Sequence, residues 1–298
     1  MPSADPNSRL SGNTKLLGIL SHGANFSLSP AIHNYAAKIL GINELYVPFD
    51  LAANHVKTFL DIFWHLGGRG LNVTMPHKNL VATLVPSEGL ASVNTLVRTE
   101  LGWKGFSTDG EGFLAGLAQA PARLQDFDAV VILGSGGSAQ AVLAAIAKAT
   151  KDRPIIAVVH RRSKNNDHHI LAAVADDPVL MLTLRSLDAE SFTDTLRETQ
   201  DLRRLVIQAT SAPKHGDSLQ AYVQALQYLS KDDLLVDLIY DQPSALYLDA
   251  LALGLKCING LPMLIEQARL SQFLWWGKSA SYEELVAALT SHKATDQR

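Results

Sequence analysis

At 298 residues the chain exceeds what one hydrophobic core ordinarily serves, so two domains are expected. With 47% hydrophobic and 18% charged residues and a formal net charge of −3, it has the make-up of an ordinary globular protein, and its charge points to neither nucleic acid nor a membrane as partner. A single cysteine, Cys257, excludes an internal disulfide and a multi-thiolate zinc site and fits a reducing, cytoplasmic location.

The opening MPSADPNSRLSGNT is polar, lacks an apolar h-region and reads as a tail rather than a signal peptide. No apolar run approaches the ~20 residues that cross a bilayer. LLGIL (16–20) is the first expected strand. Ser29-Pro30 then has the form of an N-cap followed by proline at the first helical position, and Ile32, Tyr35, Ala36, Ile39 and Leu40 fall on one helical face before Gly41 ends it. LYVPF (45–49), LNVT (71–74) and VNTLV (93–97) are further strands with helices between them. After LNVT, Pro76 stops the strand and brings Lys78 to its exit. A second series starts at DAVVILG (128–134), with an Ala-rich helix (138–149) and strands near 155–159, 205–209, 234–239 and 256–258. Alternation of this kind predicts an α/β protein with parallel sheets. The composition shifts over 110–127, where the domain boundary is placed.

VVILGSGGSAQAVL joins a strand, a glycine-rich turn and a helix start. Without Cβ atoms, the backbone at Gly134, Gly136 and Gly137, with Ser138 and Ala139 behind, can approach a pyrophosphate at the helix N-terminus. The second strand of this series ends in VVHRRSK, with no carboxylate for a ribose 2′-hydroxyl. Arg161, Arg162 and Lys164 form a basic cluster there, which favours NADP over NAD because arginine grips phosphate bidentately. Asp167-His168-His169 reads as a solvated loop and not a metal site. Ser21-His22-Gly23 lacks the setting of a hydrolase nucleophile, and Trp275-Trp276 are packing anchors.

The first half offers Ser27 and Ser29 at a helix start, where an anion is favoured. It also offers Asn72, Thr74 and Lys78 in NVTMPHK, Asn94 in VNT and Asp109 in TDG. Singly, each has an ordinary structural explanation: cap, strand-end amide, exit lysine. In this order, and with NGLPMLIEQARLSQFLWWG at 259–277, they make a sequence that resembles the shikimate dehydrogenase family from about Leu16 to Gly277.

The resemblance implies an N-terminal α/β substrate-binding domain, residues 1–110 with about 265–298. A C-terminal Rossmann domain over 111–264 follows, with the active-site cleft between them. It implies an NADP-dependent oxidoreductase of aromatic amino-acid biosynthesis that interconverts 3-dehydroshikimate and shikimate, as a monomer or homodimer and without a metal. By matching position, Ser27 and Ser29 would hold the substrate carboxylate. Asn72, Thr74, Asn94 and Gln267 would contact ring hydroxyls, with Tyr240 lining the same pocket. Lys78 and Asp109 would form the acid–base pair, the lysine protonating the developing alkoxide and the carboxylate orienting it. Arg161, Arg162 and Ser163 match the 2′-phosphate segment, and backbone at Gly260 would face the nicotinamide. The chain departs from the family's pattern at GILSHGAN before the serines, including Ala24-Asn25, and at Ser107, Gln208 and Asn259. A quinate dehydrogenase using NAD or NADP, and a non-catalytic binder of NADP or a shikimate-type ligand, stay as alternatives. Ser29, where quinate-preferring relatives carry threonine, leans towards shikimate, and the presence of both Lys78 and Asp109 argues against the binder.

Overall fold

A computed structural model describes residues 10–23, 27–120, 122–164, 167–172, 174 and 180–296. The first nine residues of the expected tail, and the Ala24-Asn25 departure, lie outside the described residues. The chain folds as two compact units, Met1–Thr108 with Gln267–Arg298, and Asp109–Glu266.

The first unit opens with β1 (Lys15–Ser21), α1 (Ser29–Ile39), β2 (Glu44–Asp50), α2 (Val56–His65), β3 (Gly70–Val73), α3 (Lys78–Leu84), β4 (Thr95–Thr99) and β5 (Gly102–Phe106). Its sheet runs β2-β1-β3-β4-β5, and β2, β1 and β3 are parallel. β4 and β5 are antiparallel, contrary to the all-parallel expectation. Only Glu100 and Leu101 separate β4 from β5, too few for a crossover, so a hairpin is the available connection. Gly102, at φ 136°, takes the backbone conformation that closes it. α1 buries Ser29, Ile32, His33, Ala36 and Ala37, a face rotated from the expected one: only Ile32 and Ala36 are shared, Tyr35 and Leu40 are half-buried and Ile39 is exposed, because the polar Ser29 and His33 occupy buried positions. Ser29 is the first helical residue and not the expected N-cap, a position Leu28 takes without a side-chain cap, and the Ser29 N–H donates to the Ser27 hydroxyl at 3.2 Å.

The second unit contains α4 (Asp109–Leu117), β6 (Ala129–Leu133), α5 (Gly137–Ala149), β7 (Ile155–Arg161), α6 (Asp167–Ala172), β8 (Leu180–Ser186), α7 (Ala189–Glu198), β9 (Arg204–Gln208), β10 (Leu234–Asp237), α8 (Ala245–Ala252) and β11 (Lys256–Asn259). Its sheet is parallel throughout, in the order β11-β10-β9-β6-β7-β8. The order reverses at β6, the topological switch point at whose carboxyl end open α/β sheets bind ligands. β6 and β9 are buried at every position, which is why they read as unbroken apolar runs. Within β9, Arg204 is fully buried. Its Nη2 donates to Asp233 Oδ2 at 2.6 Å, its Nε to Asp233 Oδ1 at 3.2 Å and its Nη1 to the Leu196 carbonyl at 2.6 Å. α6 occupies the segment expected as a solvated loop.

The last helices are α9 (Leu261–Trp276) and α10 (Tyr282–Asp296). The second half of α9 belongs to the first unit. Trp275 sets its indole N–H on the Leu96 carbonyl at 3.0 Å, and a Cβ on Gly70 would stand 2.2 Å from its Nε1. Trp276 donates to Glu44 Oε2 at 2.7 Å, so both tryptophans anchor packing. Among the described residues no helix is long and apolar enough to cross a membrane.

Candidate active site

In the first unit the candidate residues lie before and at the start of α1, at the end of β3, at the start of α3, just before β4 and on α9. β3 ends at Val73. The Thr74 N–H bonds the Leu20 carbonyl at 3.0 Å, the Met75–Pro76 peptide is cis, and the His77 N–H closes the turn on the Thr74 carbonyl at 2.9 Å. His77 is buried with Nε2 on the Leu51 carbonyl at 2.8 Å. Lys78, half-buried, is therefore the first residue of α3, and its carbonyl accepts from Val93 N–H at 3.1 Å. This last bond ties the lysine's backbone to the strand-end segment that carries Asn94.

Asn72 and Asn94 are buried in one network of amides and hydroxyls. The Tyr46 hydroxyl donates to Asn72 Oδ1 at 2.8 Å. Asn72 Nδ2 lies 3.1 Å from both Thr95 Oγ1 and Ser271 Oγ and 3.3 Å from the Asn94 carbonyl. Asn94 Oδ1 accepts from the Thr108 N–H at 2.8 Å and the Thr95 hydroxyl at 3.1 Å, and its Nδ2 donates to Thr108 Oγ1 at 2.9 Å. A carboxamide has two donor hydrogens, so protein acceptors already commit the Nδ2 of Asn72, which was expected to contact a ring hydroxyl. Tyr46, Thr95, Thr108 and Ser271 were not singled out in the sequence. The available signal was polar residues inside otherwise apolar strands, as in VNTLV. Gln267 is buried one turn before Ser271, whose hydroxyl donates to the Gln267 carbonyl at 3.0 Å.

His33 lies beneath this network, fully buried and stacked on Tyr46 with ring centroids 4.5 Å apart. Neither ring nitrogen has a hydrogen-bond partner, and burial pulls its pKa down to about 3; the nearby Asn72 amide opposes only part of that shift. In the unfolded chain the ring titrates near 6.5. Stability from this group is therefore complete above that pH and is lost as pH falls towards 3, because only the unfolded chain takes the proton. Between pH 7 and pH 5 the loss should be about 2 kcal/mol. His33→Phe should remove that component, and urea midpoints of both proteins at the two pH values measure it.

In the second unit, Asp109 is the first residue of α4 and is buried, with the Ser138 hydroxyl donating to its Oδ2 at 3.4 Å. Gly110 explains the placement: a Cβ there would meet the Ala141 carbonyl oxygen at 2.3 Å, so only glycine lets α4 lie this close to α5. The turn after β6 holds Gly134 at φ 114°, packed against Ala209, and is pinned by Gln140 Nε2 on the Ser135 carbonyl at 2.9 Å. A Cβ built on Gly136 meets nothing within 4 Å, so open space faces the turn at the head of the 13-residue α5. Gly137 and Ser138 begin that helix and Ala139 is buried in it. Such a cradle fits a dinucleotide pyrophosphate.

The basic cluster is divided. Arg162, Ser163 and Lys164 are exposed, whereas Arg161 forms a forked ion pair with Asp167, its Nη2 3.0 Å from Oδ2. Tyr240 is half-buried after β10, with the Lys214 ammonium 5.2 Å from its ring centre. A Cβ on Gly260 would stand 2.1 Å from the Leu238 carbonyl oxygen, so packing against the β10 exit requires glycine there. Gln208, one of the departures, joins β9 to β10 by donating to Asp237 Oδ1 at 3.2 Å. Asn259, another, accepts from the Leu261 N–H at 3.1 Å and caps α9. Among the described residues no three His, Cys, Asp or Glu side chains are placed to share a metal ion.

A parallel six-stranded sheet with a glycine turn at its switch point, joined to a mixed α/β unit presenting hydroxyls, amides and a lysine, defines a dinucleotide-dependent oxidoreductase acting on a CH–OH group. Residues 19–96 match the shikimate dehydrogenase substrate-binding domain. A shikimate dehydrogenase (NADP(+)) of Crocosphaera subtropica is 31% identical over 291 residues, covering 94% of this chain and 97% of that one. One from Methanopyrus kandleri is 30% identical over 285 residues, covering 94% and 96%. The structure of shikimate 5-dehydrogenase from Thermus thermophilus in complex with NADP(H) and shikimate superposes with a TM-score of 0.72 at 26% identity, covering 92% and 98%. The chain belongs to the shikimate dehydrogenase family.

Proposed function

We propose that this protein is an NADP-dependent shikimate dehydrogenase, reversibly reducing 3-dehydroshikimate to shikimate. The observation that carries the assignment is the full-length relationship to shikimate dehydrogenases (NADP(+)), in a chain that sets Lys78 and Asp109 at the first positions of α3 and α4. Bound NADPH supplies the hydride for the ring ketone. Lys78 supplies positive charge and a proton to the oxygen as it becomes an alkoxide, and Asp109 is the carboxylate of the acid–base pair. Ser27 and Ser29 receive the substrate carboxylate at the head of α1, where the helix dipole favours an anion. Thr74, Asn94, Gln267 and Tyr240 are the further substrate contacts, and Asn72 acts by holding Asn94, Thr95 and Ser271 in place. The turn at Gly134, Gly136 and Gly137 receives the pyrophosphate, with Gly260 beside the nicotinamide. The enzyme works in the cytoplasm, as a monomer or homodimer.

A spectrophotometric assay crossing shikimate and quinate with NADP and NAD tests this directly. Shikimate with NADP should be the fastest pair. Faster oxidation of quinate would make the protein a quinate dehydrogenase, and no turnover with any pair would leave a ligand binder.

A further inference from the structure

The Arg161–Asp167 pair stands apart from the other basic residues at the end of β7. β7 lies between β6, which leads into the glycine turn, and β8 on its far side. The turn is tied to β7 directly, since the Gly134 N–H donates to the His160 carbonyl at 2.8 Å. The next residue, Arg161, sends its guanidinium the other way. Its Nη1 lies 3.4 Å from the Arg185 carbonyl of β8, and its Nε and Nη2 fork onto the Asp167 carboxylate. The pair is largely withdrawn from water, with side-chain exposures of 11% and 24%. Moving Arg161 onto a phosphate would break this fork and leave the Asp167 carboxylate facing a dianion, an arrangement that like-charge repulsion and partial desolvation both oppose.

We infer that Arg161 and Asp167 are a positioning pair for the NADP 2′-phosphate subsite, and that the phosphate itself is held by Arg162, Ser163 and Lys164. The fork fastens the last residue of β7 to the first residue of α6, and residues 162–164, directly after β7, present the three exposed side chains. A bidentate guanidinium–carboxylate pair has the directional stiffness for this, which a single point contact lacks. Asp167 thus contributes to a phosphate site without meeting the phosphate. The inference rests on the NADP reading of the glycine turn.

Calorimetric titration with adenosine 2′,5′-bisphosphate and with 5′-AMP tests it without turnover. Wild type should bind the bisphosphate more tightly than AMP, and Arg162→Gln should abolish most of that difference. Asp167→Asn and Arg161→Gln should each weaken the bisphosphate about tenfold while leaving AMP unchanged, and the double variant should be no weaker than either single. Asp167→Glu, which keeps the ion pair, should recover most of the loss. If Arg161 gripped the phosphate directly, Asp167 would compete for it, and Asp167→Asn would tighten the bisphosphate; that result overturns the inference. Equal weakening of AMP would also overturn it, by showing a general effect on the fold. A wild type with no preference for the bisphosphate over AMP would overturn the NADP reading together with the inference.

Discussion

Lys78→Met should lower kcat for shikimate oxidation by about 10²–10⁴-fold, the range lost with a general acid–base group, while the dissociation constant for shikimate changes little. The expectation follows from when the ammonium acts: its charge meets a developing alkoxide, so most of its contribution arises in the transition state and not in the ground-state complex. The backbone at residue 78 is held by the turn closed by His77 N–H on the Thr74 carbonyl and by the Val93 N–H on its own carbonyl. Methionine can occupy the first position of α3 without disturbing either bond, and it replaces the charged stem with an apolar one of similar length. Asp109→Asn should also slow turnover, and the combined loss should be less than the product of the two because the groups serve one proton transfer. Steady-state kinetics with equilibrium titration of shikimate measures both quantities. Near-wild-type turnover of Lys78→Met would reduce the lysine to a helix-start residue.

Asp233→Ala should destabilise the second unit by about 3–5 kcal/mol, read as a shift of its urea midpoint. The carboxylate receives Nε and Nη2 of Arg204, a residue with no exposed surface, and also the Arg204 and Ser230 N–H groups at 2.7 Å each. Truncation strands a guanidinium in the core with only the Leu196 and Tyr228 carbonyls as acceptors. Replacing both partners, as Arg204→Met with Asp233→Leu, should restore much of the stability, because no buried charge remains. A loss below about 1 kcal/mol in the single variant would mean that the two carbonyls compensate the cation by themselves.

The parts of the fold legible in the sequence were those whose burial is one-sided or complete. VVIL and LVIQ are buried on both faces and read as uninterrupted apolar runs, while the helical period of α1 showed the helix but not its buried face, which includes Ser29 and His33. β8 was not anticipated. Its LMLTL run is apolar, but as an edge strand it leaves exposed and half-buried residues in alternation, with Met181 56% exposed, and not a fully buried stretch. β5 was missed for a related reason: GWKGF is short, carries two glycines and depends on β4 for its hydrogen bonds. Among site residues, the glycine turn and Lys78 declare themselves through local order along the chain. The Tyr46–Asn72–Ser271 contacts do not, since Asn72 and Ser271 are 199 positions apart. Arg161 was grouped with Arg162 because the two are adjacent. Arg161 is the last residue of β7 and Arg162 lies beyond the strand, so the two side chains meet different surroundings.

The Trp275 contact bears on how the protein is made. The indole over Gly70, the Leu96 carbonyl that receives its N–H and the His33 ring 5.1 Å away all belong to a sheet and helix that leave the ribosome some 200 residues earlier. Until α9 emerges, the Trp275 side of Gly70 lacks its cover and stays open to solvent. The Asp109–Glu266 segment, continuous in the chain, is complete sooner. Synthesis therefore finishes the later-encoded unit before the earlier one, and a nascent chain stalled short of residue 275 would display an incomplete first unit for chaperones to hold.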